Sequence, residues 1–249
     1  MKFMSQLAQP SFLFFALFMA SLGLSEAKQR KKNVVDVQGA CAIVKQLGPH
    51  EVDLLQMVLE DEEIIPEIKS CAVYQVGKIL GENPNSKNIL PSLRKLYERY
   101  RNDTVQAQYF RVRESICYTL GKLENTGQAD EAVEFMGHIA SSDNHPAVSH
   151  ACITMLGATT TQRQKAAQRL IQILNSKLSR KDMEQGDITL VHLIVSALGT
   201  LEQSEAFLPL IQVLQSGYPA YVKKATERAL QNIERSQAQK FTKEKGTSP

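Results

Sequence analysis

The chain of 249 residues has 29 basic and 26 acidic side chains, a net charge of +3, with 43% hydrophobic and 22% charged residues. That balance excludes an intrinsically disordered chain and shows no charge excess of the kind a polyanion-binding protein carries. Five of the nine phenylalanines (Phe3, Phe12, Phe14, Phe15 and Phe18) fall in the first twenty residues, and there is no Trp, so the core of the rest must be built from Leu, Ile, Val and Ala. Residues 1–27 read as a secretory signal peptide: Lys2 supplies the positive end, an apolar run extends from Phe12 to Ala20, and Ser25-Glu26-Ala27 offers a small-x-small cleavage site. The run is shorter than the roughly 20 residues that cross a bilayer, so no stable membrane insertion is expected once the signal is removed. Residues 28–34, with Lys28, Arg30, Lys31 and Lys32, form a basic linker whose charge opposes translocation.

From residue 35 to residue 235 one pattern recurs. The segment Pro66 to Gly77 matches Pro146 to Gly157 position by position in chemical type, and Phe110 to Gly121 fits without the proline. Looser copies end at Gly48 and Gly199, and a last one, after Pro219, has Gln231 in the glycine position. The glycine positions are separated by steps of 29, 44, 36, 42 and 32 residues, near the period of about 30–47 residues typical of helical-hairpin repeats. Proline suits the first turn of a helix, where its missing N–H would have no partner. The small residues at Cys71 and Ala151 let a neighbouring helix approach, and the apolar-Gly pair either ends the helix or permits close backbone packing. Between these helices lie others with an apolar stripe at helical spacing: Val52, Leu55, Val58 and Leu59; Leu93, Leu96, Tyr97 and Tyr100; Ala167, Leu170, Ile171 and Leu174; Phe207, Leu208, Ile211 and Leu214. Asn83-Pro84-Asn85-Ser86 and Ser179 to Asp182 read as connecting loops, and residues 236–249 as a polar C-terminal tail that frays. The fold expected is all-α, with about five helical hairpins and an incomplete first unit whose helix lies near Val35–Leu47.

The pattern Pro-x-Val-x-x-Ala-x-x-x-x-Leu-Gly, marked by Pro66, Gly77, Gly121, Pro146, Gly157 and Gly199, resembles the HEAT repeat, specifically the short HEAT-like class named after phycobilisome lyases. The resemblance covers residues 35–235. It implies an α-solenoid, an armadillo/HEAT-type superhelix whose second helices line a concave, protein-binding face. The basic residue that usually follows the valine appears as Lys69, Arg113 and Lys223 but is replaced by Ser149 and Val191, so a continuous basic ladder is interrupted.

Lys69, Lys78, Arg113, Lys122 and Lys223 are the candidate partner-binding residues; pairing of the basic residues near the helix starts with acidic neighbours such as Glu67 and Glu114 is the structural alternative. Cys41, Cys71, Cys117 and Cys152 fall one in each of four repeat helices. They act either as small hydrophobes in an alanine-rich seam or as the bridges Cys41–Cys71 and Cys117–Cys152. Asp143, His145 and His150 crowd one turn, but the two histidines are five apart rather than four, which argues against a zinc site. The stretch from Arg94 to Arg113, with Tyr97, Tyr100, Tyr109 and Phe110 interleaved, has the ingredients of a nucleic-acid surface, yet its tyrosines fall on the apolar stripe. No phosphate loop, nucleophile elbow, His-Glu-x-x-His or Cys-x-x-Cys is present, so no cofactor is implied. The expected function is an exported, periplasmic or secreted, non-enzymatic scaffold that binds a protein and not a nucleic acid. The alternative is a lyase-like enzyme or enzyme subunit retained in the cytoplasm.

Overall fold

The computed structural model describes residues 36–82, 88–101, 109–179 and 185–246. The signal segment, the basic linker, the Asn83–Ser86 loop, Arg180–Asp182 and the last three residues lie outside the described residues. Those described are helical or in turns, with no strand among them. Eleven α-helices follow one another: α1 (Val37–Gln46), α2 (Val52–Glu60), α3 (Pro66–Glu82), α4 (Leu90–Arg101), α5 (Phe110–Lys122), α6 (Ala129–Ser142), α7 (Pro146–Ala158), α8 (Arg163–Leu178), α9 (Gln185–Leu201), α10 (Phe207–Gln215) and α11 (Ala220–Gly246). None is long and apolar enough to cross a membrane, among the described residues.

Helix starts follow local chemistry. Asp36 caps α1, its carboxylate accepting from the Gly39 N–H at 3.0 Å. Pro66 and Pro146 are the first residues of α3 and α7, and Pro219 immediately precedes α11. All three helices then open with the same backbone pair: Ile68 and Lys69 donate to the Ile65 carbonyl, Val148 and Ser149 to that of His145, and Val222 and Lys223 to that of Pro219.

Each even-numbered helix packs on the odd-numbered helix that follows it, and each odd-numbered helix packs on the next odd one from α1 through α11. Glycine governs these odd–odd seams by size, since Gly77, Gly121, Gly157 and Gly199 all lie inside their helices. A Cβ on Gly157 would come within 2.6 Å of the Ala197 Cβ, and one on Gly199 within 2.8 Å of the Ala229 Cβ. At Gly77 the neighbour is Thr119, and at Gly121 it is Met155. In all four seams the residue facing the glycine stands two places before the next glycine position, so the register is uniform. Gly48 differs: it lies in the turn after α1, where its N–H donates to Glu51 Oε2.

The core is aliphatic, with buried Leu, Ile, Val and Ala from every helix. The stripes of α2, α4 and α8 lie inward, with Val52 and Ile171 only half-buried. Two elements depart from expectation. Helix α6, which no stripe was assigned to, buries Ala132, Val133, Phe135, Met136 and Ile139, and Phe135 meets Tyr97 of α4 edge to face at 5.6 Å. In α10 the buried side chains are Pro209, Leu210 and Val213, while Leu208 is 73% exposed. In the segment Phe207–Leu214 only Gln212, four residues after Leu208, marks the outward face, and the apolar residues around it leave the periodicity ambiguous. Helix α11 continues without a break to Gly246, through most of the polar tail. Gln237, Ala238, Gln239 and Lys240 are good helix formers, and no Gly or Pro intervenes.

Candidate functional site

Once the glycine side of each odd helix is committed to its neighbour, the residues three before and one after the glycine stand four apart on the same exposed face. The resulting row reads Tyr74 and Lys78 on α3, Tyr118 and Lys122 on α5, Thr154 and Ala158 on α7, Ser196 and Thr200 on α9, and Arg228 and Asn232 on α11; every one is exposed. The first two helices alone carry a large aromatic with a lysine one turn on. Tyr74 is 54% and Tyr118 39% exposed; the other exposed tyrosine, Tyr221 on α11, lies outside the row.

A groove of about 590 Å³ opens between these pairs. Its lining includes Gly77, Gly121 and Thr119, with Met155, Ala158 and Thr159 bounding it on the α7 side. Lys78 and Lys122 line it, and neither forms an ion pair among the described residues. Two carboxylates share the wall. Glu124, in the turn after α5, accepts hydrogen bonds from the Thr160 N–H at 2.7 Å and from the hydroxyls of Thr159 and Thr160 at 3.3 and 3.2 Å, which anchor its carboxylate and leave its negative charge on the wall. Glu82, the last residue of α3, is exposed. Thr119 donates to the Val73 carbonyl at 2.8 Å, fixing α5 against α3 beneath the two tyrosines. Gln75 does the same one seam earlier, donating to the Leu47 carbonyl at 2.5 Å.

The other candidate cations are elsewhere. Arg113 is buried: Nε donates to Asp143 Oδ2 at 2.8 Å, and Nη1 to the Tyr100 carbonyl at 2.7 Å. It bridges its own hairpin to the turn before α7 and is not offered to a partner. Lys69, in the equivalent place on α3, is fully buried, and its ammonium has no hydrogen-bond partner among the described residues. Burial, reinforced by the Arg99 charge and only partly opposed by Asp61 and Glu62, pulls its pKa down to about 8. Both were expected at a surface because long cationic side chains usually reach water; here the repeat position itself faces the layer of even helices. Lys223 is half-buried on α11, with α7 and α9 between it and Lys122.

The four cysteines are joined as Cys41–Cys71, between α1 and α3, and Cys117–Cys152, between α5 and α7. Asp143 and His145 serve structure: Asp143 accepts from the His145 N–H at 2.8 Å, and the His145 ring stacks on Phe110 at 4.1 Å. Burial lowers the pKa of His150. The basic-aromatic stretch is dispersed: Tyr97 and Tyr100 are buried, Arg94 lies over the Phe135 ring, and Arg99 pairs with Glu62. Burial, with the Asp143 charge adding to it, pushes the Tyr97 hydroxyl up to about 12.

Tyr74 and Tyr118 were not singled out from sequence. The signal was there: both stand three residues before a repeat glycine, each four before a candidate lysine. The chain matches no protein-family model and no curated protein.

Proposed function

We propose that this chain is an exported, non-enzymatic α-solenoid of the HEAT type that holds another protein along the face formed by its odd-numbered helices. The observation that carries the reading is the uniform register of the odd helices, which turns one repeat position into an exposed row across five helices. Solenoids suit partner binding because each unit adds side chains to one continuous surface. Two disulfides support the export assignment, since such bonds persist in oxidising compartments and are rare in a reducing cytosol. The test combines two measurements on the natural protein. Mass spectrometry of its amino terminus should find a chain starting at Lys28. A photo-cross-linking residue at Thr154, on the odd face, should capture a protein in the exported fraction, whereas one at Leu208, on α10, should not. An intact Met1 in the cytoplasm would revive the lyase-like alternative, and capture at Leu208 alone would move the binding surface to the even helices.

A further inference from the structure

The groove between α3 and α5 specifies its occupant more narrowly than the whole face does. Two identical Tyr-x-x-x-Lys elements, Tyr74 with Lys78 and Tyr118 with Lys122, stand at the same repeat position on successive packed helices. Packed helices run about 8–10 Å apart, so the two lysines present positive charge at that interval along any chain laid across them. A polyproline-II segment rises about 3.1 Å per residue with three residues per turn, and therefore repeats one face every ~9 Å. A fully extended β-strand cannot match this, because residues three apart point to opposite sides. Within each helix the tyrosine precedes its lysine by four residues, about 6 Å along the axis. The lysines thus form one edge of the track and the exposed rings the other, an aromatic-lined groove of the kind that docks polyproline-II chains.

From these spacings we infer that the groove is a binding site for an acidic segment in polyproline-II conformation, with carboxylates three residues apart meeting Lys78 and Lys122 and the intervening residues packing on Tyr74 and Tyr118. The inference rests on the proposal that the odd-helix face holds a protein. The lysines support it: both are unpaired among the described residues, whereas Glu124 is anchored by Thr159 and Thr160 and so is not paired with either of them. Glu82, at the end of α3, and Glu124 are the two opposing charges of the wall. Two lysines among 29 basic and 26 acidic residues make a local complement to a peptide, not the broad positive field a polyanion selects.

Fluorescence anisotropy with the full mature chain tests this, using a labelled (Glu-Pro-Pro)4 peptide as the probe. The (Gln-Pro-Pro)4 peptide, and a peptide of the same composition with its four glutamates clustered, should each bind about tenfold more weakly. Lys78→Glu with Lys122→Glu should weaken the first probe by a similar factor. Lys45→Glu with Lys240→Glu, an equal change in net charge on exposed residues outside the groove, should leave it unchanged. Tyr74→Ala with Tyr118→Ala should weaken it, and Glu82→Gln should strengthen it. Equal affinity for the glutamine or clustered peptides would overturn the inference. So would a sulfated oligosaccharide binding as tightly with no dependence on the tyrosines, which would mark a polyanion surface. If cross-linking at Thr154 still captures a protein but the Lys78 and Lys122 reversals have no effect on the probe, this inference fails and the broader proposal stands. If capture is lost from the odd face altogether, the broader proposal fails first.

Discussion

The seams between odd helices change character halfway along the molecule. From α1 to α7 they are tied as well as packed: Cys41–Cys71 joins α1 to α3, Ser70 and Ser115 hydrogen-bond at 2.6 Å between α3 and α5, and Cys117–Cys152 joins α5 to α7. From α7 to α11 there is no disulfide, and size sets the helices, Gly157 against Ala197 and Gly199 against Ala229, with the His192 and Tyr221 rings meeting edge to face at 5.5 Å across the last seam. Yet the glycine-to-neighbour register is the same in both halves. Shape is therefore enough to fix the register, and the covalent and polar ties are an addition. They are concentrated where the exposed row carries Tyr74, Lys78, Tyr118 and Lys122, the residues proposed to meet a partner.

The largest expected effect comes from cutting the ties. The disulfides close loops with sequence separations of 30 and 35 residues, and chain-entropy arguments assign each about 4 kcal/mol of stabilisation. Replacing Cys117 and Cys152 by alanine should lower unfolding free energy by about that amount in denaturant titration. Native-state hydrogen exchange should then show α1 through α7 losing protection while α9 and α11 keep theirs. Equal loss through α11 would mean that the halves open as one unit and that the contrast between them has no energetic meaning.

What could be read in the sequence follows the same division between shape and chemistry. The repeat helices were legible because Gly77, Gly121, Gly157 and Gly199 serve packing, and a packing requirement recurs with the repeat. The fate of the basic position was not legible. Lys69 and Arg113 share that position, but the carboxylate that accepts Arg113 belongs to Asp143, thirty residues later in a turn, where no helical spacing reveals it. The inward face of α10 was marked only by Gln212 standing four residues after Leu208 on the outer side, and α6 was overlooked because alanines and a glycine dilute its stripe. At the candidate site Lys78 and Lys122 were visible as charges next to the glycines. Tyr74 and Tyr118 were passed over because an aromatic inside a helical pattern reads first as core.

A medium effect is expected at Lys69, whose repeat position buries a charge that Ser149 on α7 and Val191 on α9 avoid. At pH 7 the Lys69 ammonium is charged in both the folded and the unfolded chain, and its burial is fully penalised. Its folded pKa, about 8, lies below the ordinary 10.5, so the unfolded chain binds more protons between those values and stability rises with pH across that window. Lys69→Met should therefore stabilise the protein by about 2 kcal/mol at pH 7. The gain should shrink from pH 8 upward, leaving above pH 10.5 only the smaller cost of burying a neutral amine without a hydrogen-bond partner. A gain that is independent of pH would assign it to packing and not to the buried charge.

The smallest effect, and the sharpest test of the register, is at the one seam of the tied half that lacks a disulfide. Cys41 stands seven residues before Gly48, and Cys71 six before Gly77. Ser70 and Ser115 occupy those same two places relative to Gly77 and Gly121, and their hydroxyl oxygens are already in contact across the α3–α5 seam. If one register rules every seam, Ser70→Cys with Ser115→Cys should close a third disulfide on air oxidation, detected as the loss of two hydrogens in intact mass. The stabilisation should be about 1 kcal/mol, because engineered bridges deliver less than loop closure alone predicts. Two thiols that remain free to react would show that α3 and α5 do not repeat the alignment of α1 and α3. The groove above them would then lose the regular interval on which recognition of a three-residue acidic repeat depends.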